Sequence, residues 1–161
     1  MNSEIDQGTT FKIYIPRLAK NVDEKLLPAT LATAFGGEET ILLVEDDPSL
    51  RVSVRMALAK LGYHILEAPT GVQAREVWKQ NRGDIRLLLM DLVMPDGMTG
   101  KDLAQHILKE DPKLKVIYMS GYSTDVVGKD FPFNEGVNFL TKPFQAFKLA
   151  QTVRKSLDAK I

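Results

Sequence analysis

Cysteine is absent from the 161 residues, which excludes a disulfide framework, a thiol nucleophile and a thiolate zinc site, and suits a reducing cytosol. An excess of charge is missing too: Lys plus Arg and Asp plus Glu each number 21, so the formal net charge is zero. Without a basic field there is no draw toward nucleic acid, and DNA binding is not expected. No apolar run nears the roughly 18 to 20 residues that cross a bilayer. The opening MNSEIDQGTT lacks the basic and apolar regions of a secretory leader. A cytoplasmic chain making no membrane contact is the expectation. Histidine is scarce, and His64 and His106 fall on an expected strand start and an expected helix. They read as structural or exposed residues, as does the single tryptophan, Trp78.

The length suits one ordinary domain with about forty residues to spare. From residue 41 onward short apolar runs alternate with amphipathic segments, the pattern of a parallel sheet covered on both faces by helices. The expected strands are Ile41–Glu45, His64–Glu67, Ile85–Met90, Lys115–Met119 and Val137–Leu140, enough for a small doubly wound sheet. Pro48 marks a helix start that Asp47 can cap, and Val52, Met56, Leu58, Ala59 and Leu61 recur at helical spacing before Gly62. Further helices are expected from Thr70–Gly71, over Thr99–Lys109 and over Pro143–Leu157. The segment Thr124–Glu135, with its FPFNEG, predicts only a short or irregular helix. Residues 1–39 break the alternation. Thr9–Ile15 reads as one half-exposed strand ending at Pro16, and 17–39 as a linker with a weak helix near Val22–Leu27.

Acidic residues end two of the apolar runs. Asp46 and Asp47 follow ILLVE, and Asp91 follows RLLLM. In an open parallel sheet the carboxyl ends of the strands form the ligand-binding edge, so these carboxylates converge. Clustered like charges require compensation, and oxygen-only ligands suit Mg2+. Ser120 ends the fourth run and Lys142–Pro143 the fifth, adding a hydroxyl and an ammonium. The set fits a phosphoryl group on Asp91, with the metal held by Asp47, by Asp91 and by Asp46 through water, while Lys142 and Ser120 meet the remaining oxygens. Taken singly, Asp46 and Asp47 read equally as a helix cap and a first-turn acid.

The motifs VEDD, MDLVMPDGMTG, MSGYS and FLTKPF stand in the order and approximate spacing of the receiver domains of two-component response regulators, and residues 40–158 resemble that family. The resemblance implies a flavodoxin-like (βα)5 fold, an α/β doubly wound sheet with strand order 2-1-3-4-5. It also implies Mg2+-dependent phosphoryl transfer from a phosphohistidine to Asp91, with slow self-catalysed hydrolysis. Val93 would then offer its backbone carbonyl to the metal, Phe139 would be the aromatic switch partner of Ser120, and Tyr122 would flank the site. A histidine kinase or histidine phosphotransfer protein is the implied partner. MPDGMTG, MSGYS and FLTKPF are similar to receivers at the C-terminus of hybrid sensor histidine kinases, and 8–16 (GTTFKIYIP) resembles the last strand of a kinase ATP-binding domain. The catalytic core of such a kinase is absent from the sequence, so the chain is read as a phosphoacceptor module and not as a free-standing enzyme.

Two other classes compete. An aspartyl-nucleophile phosphatase of the haloacid-dehalogenase type needs a second acid two residues after the nucleophile, where this chain has Val93. A phosphorylation-independent interaction module would have no physical need for Asp46, Asp47, Asp91, Ser120 and Lys142 together.

Overall fold

The structure, a computed structural model, describes residues 2–4, 8–10, 12, 14, 35–94, 97–121 and 133–159. A short antiparallel pair, β1 (Asn2–Glu4) and β2 (Gly8–Thr10), comes first. A five-stranded sheet follows, built from β3 (Thr40–Val44), β4 (His64–Ala68), β5 (Ile85–Asp91), β6 (Lys115–Ser120) and β7 (Phe139–Thr141). Its order is β4-β3-β5-β6-β7 and every pairing is parallel, the expected 2-1-3-4-5 arrangement of a flavodoxin-like fold. The helices described are α1 (Pro48–Ala59), α2 (Gly71–Gln80), α3 (Gly100–Glu110) and α4 (Ala146–Asp158).

Side chains alternate faces along a strand, and both faces of this sheet are covered, so the middles of the central strands, Ile41–Val44, Leu87–Met90 and Val116–Met119, are apolar. Leu42, Val44, Leu88, Met90, Tyr118 and Phe139 pack with Trp78 of α2 and with Leu103 and Ile107 of α3. Ile41, Leu43, Leu87, Leu89, Ile117 and Leu140 pack on the other face with Val54 and Leu58 of α1 and Leu149 and Val153 of α4.

Several boundaries differ from expectation. In α1 the inward stripe is Val54 and Leu58, continued by Leu61, while Val52 and Met56 are about half exposed. Two residues along a helix is about 200° of rotation, which turns Val52 and Met56 away from the sheet. The last strand begins at Phe139 and not Val137, because Gly136 (φ +73) and Val137 form a turn in which Val137 N–H donates to Asn134 O at 3.0 Å. The last helix begins at Ala146, after Pro143 and Phe144 and a Gln145 N-cap. Of the expected Thr9–Ile15 strand, Thr9 and Thr10 lie in β2, paired with Ser3 and Asn2, while Lys12 and Tyr14 lie outside any strand and residues 11, 13 and 15 lie outside the described residues. The weak helix expected near Val22–Leu27 and most of the segment Thr124–Glu135 lie outside the described residues.

Residues 35–39, expected as linker, pack onto the sheet domain. Arg154 of α4 grips Glu39 with both guanidinium nitrogens (2.8 and 3.2 Å) and also bonds Asp158. Tyr63 hydroxyl donates to Phe35 O at 2.8 Å, and the Phe35 ring meets Phe147 edge-on at 5.5 Å. Gly37 is closely surrounded here: a Cβ would displace the ends of the Glu39 and Arg154 side chains and press on the Tyr63 ring. Facing it, Gly62 adopts φ +97, and a Cβ there would lie 2.7 Å from Gly37 O.

Candidate functional site

Parallel register brings the acidic residues to one edge. Val44 lies opposite Met90, so Glu45 follows β3 beside Asp91, the last residue of β5. Ser120 ends β6 opposite Thr141, and Lys142 follows β7. Lys142 N–H donates to Ser120 O at 2.7 Å, which fixes the start of the bend that carries the lysine side chain.

Three carboxylates converge: oxygens of Glu45, Asp46 and Asp91 all lie within 4.8 Å of one another. Lys142 Nζ donates to Asp91 Oδ2 at 2.6 Å and to Glu45 Oε2 at 2.7 Å. Val93 N–H donates to Asp91 Oδ1 at 3.1 Å, orienting the carboxylate from the following loop. Burial pushes the Glu45 carboxyl above its ordinary value, and the Asp91 charge adds to this against the pull of Lys142. Burial pulls the Lys142 ammonium down, but its bonds to Asp91 and Glu45 outweigh that and the net shift is upward. The asymmetry has a physical origin. One ammonium gains from two carboxylates, while Glu45 shares it with a competing anion.

The sequence pairs Asp46 with Asp47, but the structure brings Glu45 and Asp46 together at Asp91. Asp47 Oδ1 accepts the Leu50 N–H at 2.8 Å, so this carboxylate is engaged as the N-cap of α1 and is not in the converging group. The signal was in the sequence: a proline at the first helical position makes the preceding residue the cap. Glu45 escaped notice because it ends an apolar run and resembles a last strand residue. Its side chain is in fact buried.

Ser120 is buried on the same edge. Phe139 is fully buried on the α2–α3 face, its ring 5.1 Å from Phe133, which in turn meets Tyr118 edge-on at 5.3 Å. Burial raises the Tyr118 hydroxyl to about 12. Tyr122 lies outside the described residues. His64 is exposed, His106 lies 3.7 Å from Glu110, and Trp78 is buried with Nε1 bonded to Glu110 at 3.1 Å, so these residues serve packing and surface pairing. Among the described residues no helix is long and apolar enough to cross a membrane.

The donor set suits a hard divalent cation: oxygen ligands only, excess negative charge and one compensating ammonium. Glu45, Asp46 and Asp91 are the residues that could hold such an ion.

Comparison with known proteins gives a consistent result. Residues 41–154 match the sequence profile of the response regulator receiver domain. Sensor kinase CckA of Brucella abortus is 37% identical over 164 residues, covering 98% of this chain and 17% of that protein. This chain thus spans about a sixth of the kinase. The response regulator receiver protein CpdR of the same organism is 34% identical over 119 residues, covering 74% of this chain and 97% of CpdR. The crystal structure of the receiver domain from the hybrid histidine kinase CckA superposes with a TM-score of 0.62 at 34% identity, covering 74% of this chain and 99% of that one.

Proposed function

The chain belongs to the response regulator receiver domain family, and from that premise we propose that it is a two-component phosphoacceptor whose acceptor is Asp91. The observation that carries this reading is the Lys142 ammonium held 2.6 Å from Asp91 at an edge shared with Glu45 and Asp46. An Asp91 oxygen attacks the phosphorus of a phosphohistidine, the P–N bond breaks, and the imidazole leaves with its electron pair and takes a proton from solvent. The acyl phosphate that forms is readily hydrolysed, so the mark is reversible. Lys142 exchanges a carboxylate oxygen for a phosphoryl oxygen, and the Ser120 hydroxyl donates to another. Glu45, Asp46, Asp91 and the Val93 carbonyl would hold Mg2+, which when bound would supply positive charge against the phosphoryl oxygens. The product is a conformational state in which Ser120 and Phe139 shift together and change the surface near β7 and α4.

The phosphodonor is read as a histidine kinase or a histidine phosphotransfer protein. An apolar hollow of about 300 Å³ lined by Leu50, Lys142, Pro143 and Phe144 opens beside the site and offers such a donor a seat. The chain is read as a 1–39 extension, with a kinase-domain remnant at 8–16, followed by a receiver over 40–158; similarity to CckA over 98% of the chain, against 74% for the receiver protein CpdR, is what supports an extension related to a hybrid kinase.

The test is amide NMR of the full chain titrated with Mg2+ and beryllofluoride. Saturable shifts at Asp46, Asp91, Ser120 and Lys142 that spread to Phe139 and α4, and that vanish in Asp91→Asn, are expected. A folded wild type that gives no response would replace this reading with a phosphorylation-independent interaction module.

A further inference from the structure

Three successive carbonyls of the acidic turn, those of Glu45, Asp46 and Asp47, are all satisfied by one residue. Arg51 Nη1 donates to Glu45 O at 2.6 Å and to Asp46 O at 3.3 Å, and the Arg51 backbone N–H donates to Asp47 O at 2.9 Å. The guanidinium is itself held from the next strand, with Arg51 Nε 3.7 Å from Glu67 Oε2 and the other Glu67 oxygen 3.1 Å from Arg55 Nε. Glu67 stands opposite Leu43 in the β3–β4 ladder, and Glu45 N–H donates to Ala68 O at 3.1 Å, so the brace is tied to the sheet itself.

From this geometry we infer that Arg51 is the positioning residue of the Mg2+ site, setting the direction of the Glu45 and Asp46 carboxylates through their peptide planes. The inference deepens the proposed function and rests on it. Two neighbouring acids at the end of a buried strand repel each other, and without restraint their turn would splay. A cation bonded to the carboxylates would restrain them at the expense of the metal. Lys142 has that drawback, because it occupies oxygens of Glu45 and Asp91. Arg51 restrains the same turn through main-chain oxygens and leaves the carboxylate lone pairs to the metal. A planar fork that reaches two carbonyls at once and still faces Glu67 is a task for arginine more than for lysine.

Charge and position make opposite predictions, which renders the inference testable. A guanidinium near the site repels Mg2+, so if Arg51 acted only through its charge, its removal would tighten metal binding. If it orients the ligands, removal loosens binding by about tenfold, as for other groups that hold ligands in place. The experiment is calorimetric titration of MgCl2 into the full chain, with amide NMR following Glu45–Asp47. Arg51→Gln should weaken Mg2+ binding by about tenfold, Arg51→Lys should recover part of the loss, and Glu67→Gln should cost about threefold. Arg55→Gln, which removes a charge without touching the turn, should leave affinity within twofold of wild type on the same scale, about the precision of such measurements. Arg154→Ala supplies a destabilised variant altered at the far end of the sheet, and its Mg2+ affinity should not change. Unchanged or tighter binding in Arg51→Gln, or equal loss in Arg154→Ala, overturns the inference while a Mg2+-binding wild type keeps the proposed function. A wild type that binds no Mg2+ removes both.

Discussion

Glu45 lies 2.7 Å from Lys142 Nζ with only 1% of its surface exposed. That burial lifts its carboxyl above the ordinary range although an ammonium is in contact, so the ionised form is held at a cost to the fold. Glu45→Gln keeps the shape and a hydrogen bond to Lys142 while removing one of three clustered charges. In chelator at neutral pH the variant is expected to melt above wild type. With saturating Mg2+ the order should reverse, because wild type gains more from a ligand that binds only the folded state. Thermal melts with EDTA and with Mg2+ check both halves.

Asp46 and Asp47 are neighbours with different duties. Asp47→Ala removes the α1 cap and should cost about 1 kcal/mol of stability with little change in Mg2+ affinity, and Asp47→Asn, which can still cap, should be close to neutral. Asp46→Asn should show the converse, a stable fold that has lost most of its Mg2+ binding. Denaturant melts paired with metal titration separate the two patterns.

Phe139 is fully buried among Phe133 and the strand side chains on the α2–α3 face. Phe139→Ala should cost about 3–5 kcal/mol through the cavity it leaves, and Phe139→Leu under about 1.5 kcal/mol. In Phe139→Leu, beryllofluoride shifts at Asp91 and Ser120 should persist while those at α4 fade. Full spreading in that variant would leave Phe139 a packing residue only.

The Glu39–Arg154 pair carries a pH dependence on the acid side. The Arg154 hydrogen bonds hold the Glu39 carboxyl below its usual value, so the stabilisation is present above the ordinary carboxylate range and is lost as pH falls through the lowered value. A double-mutant cycle of Glu39→Gln with Arg154→Ala should give a coupling of about 0.5–1 kcal/mol at neutral pH, limited by solvent screening, and should approach zero in acid.

The central strands are legible in the sequence because a stretch buried on both faces is an unbroken apolar run, as in Leu87–Met90. The starts predicted for β4, β5 and β6 match the structure, and that of β3 is off by one residue. Where the reading slipped, backbone conformation had decided. The positive φ of Gly136 displaces β7 by two residues, and the cap that Pro48 demands takes Asp47 out of the converging carboxylates. Val52 and Met56 fit a helical period but not the phase that α1 adopts against the sheet. The packing of Phe35–Glu39 gave no pattern at all. It depends on two glycines approaching each other from distant parts of the chain, and in the sequence a Gly-Gly pair reads as a loop.

That contact between Gly37 and Gly62 also decides at which end of the sheet residues 35–39 pack. The chain enters at Thr40, and the acidic edge lies beyond Val44, about 16 Å away at the usual rise of a strand. Because the fork of Arg154 on Glu39 fastens residues 35–39 at the N-terminal end of the strands, that segment and the acidic group lie at opposite ends of the sheet. Asp91 and its neighbours are thus open to solvent-side approach at an end of the sheet that residues 35–39 do not cover.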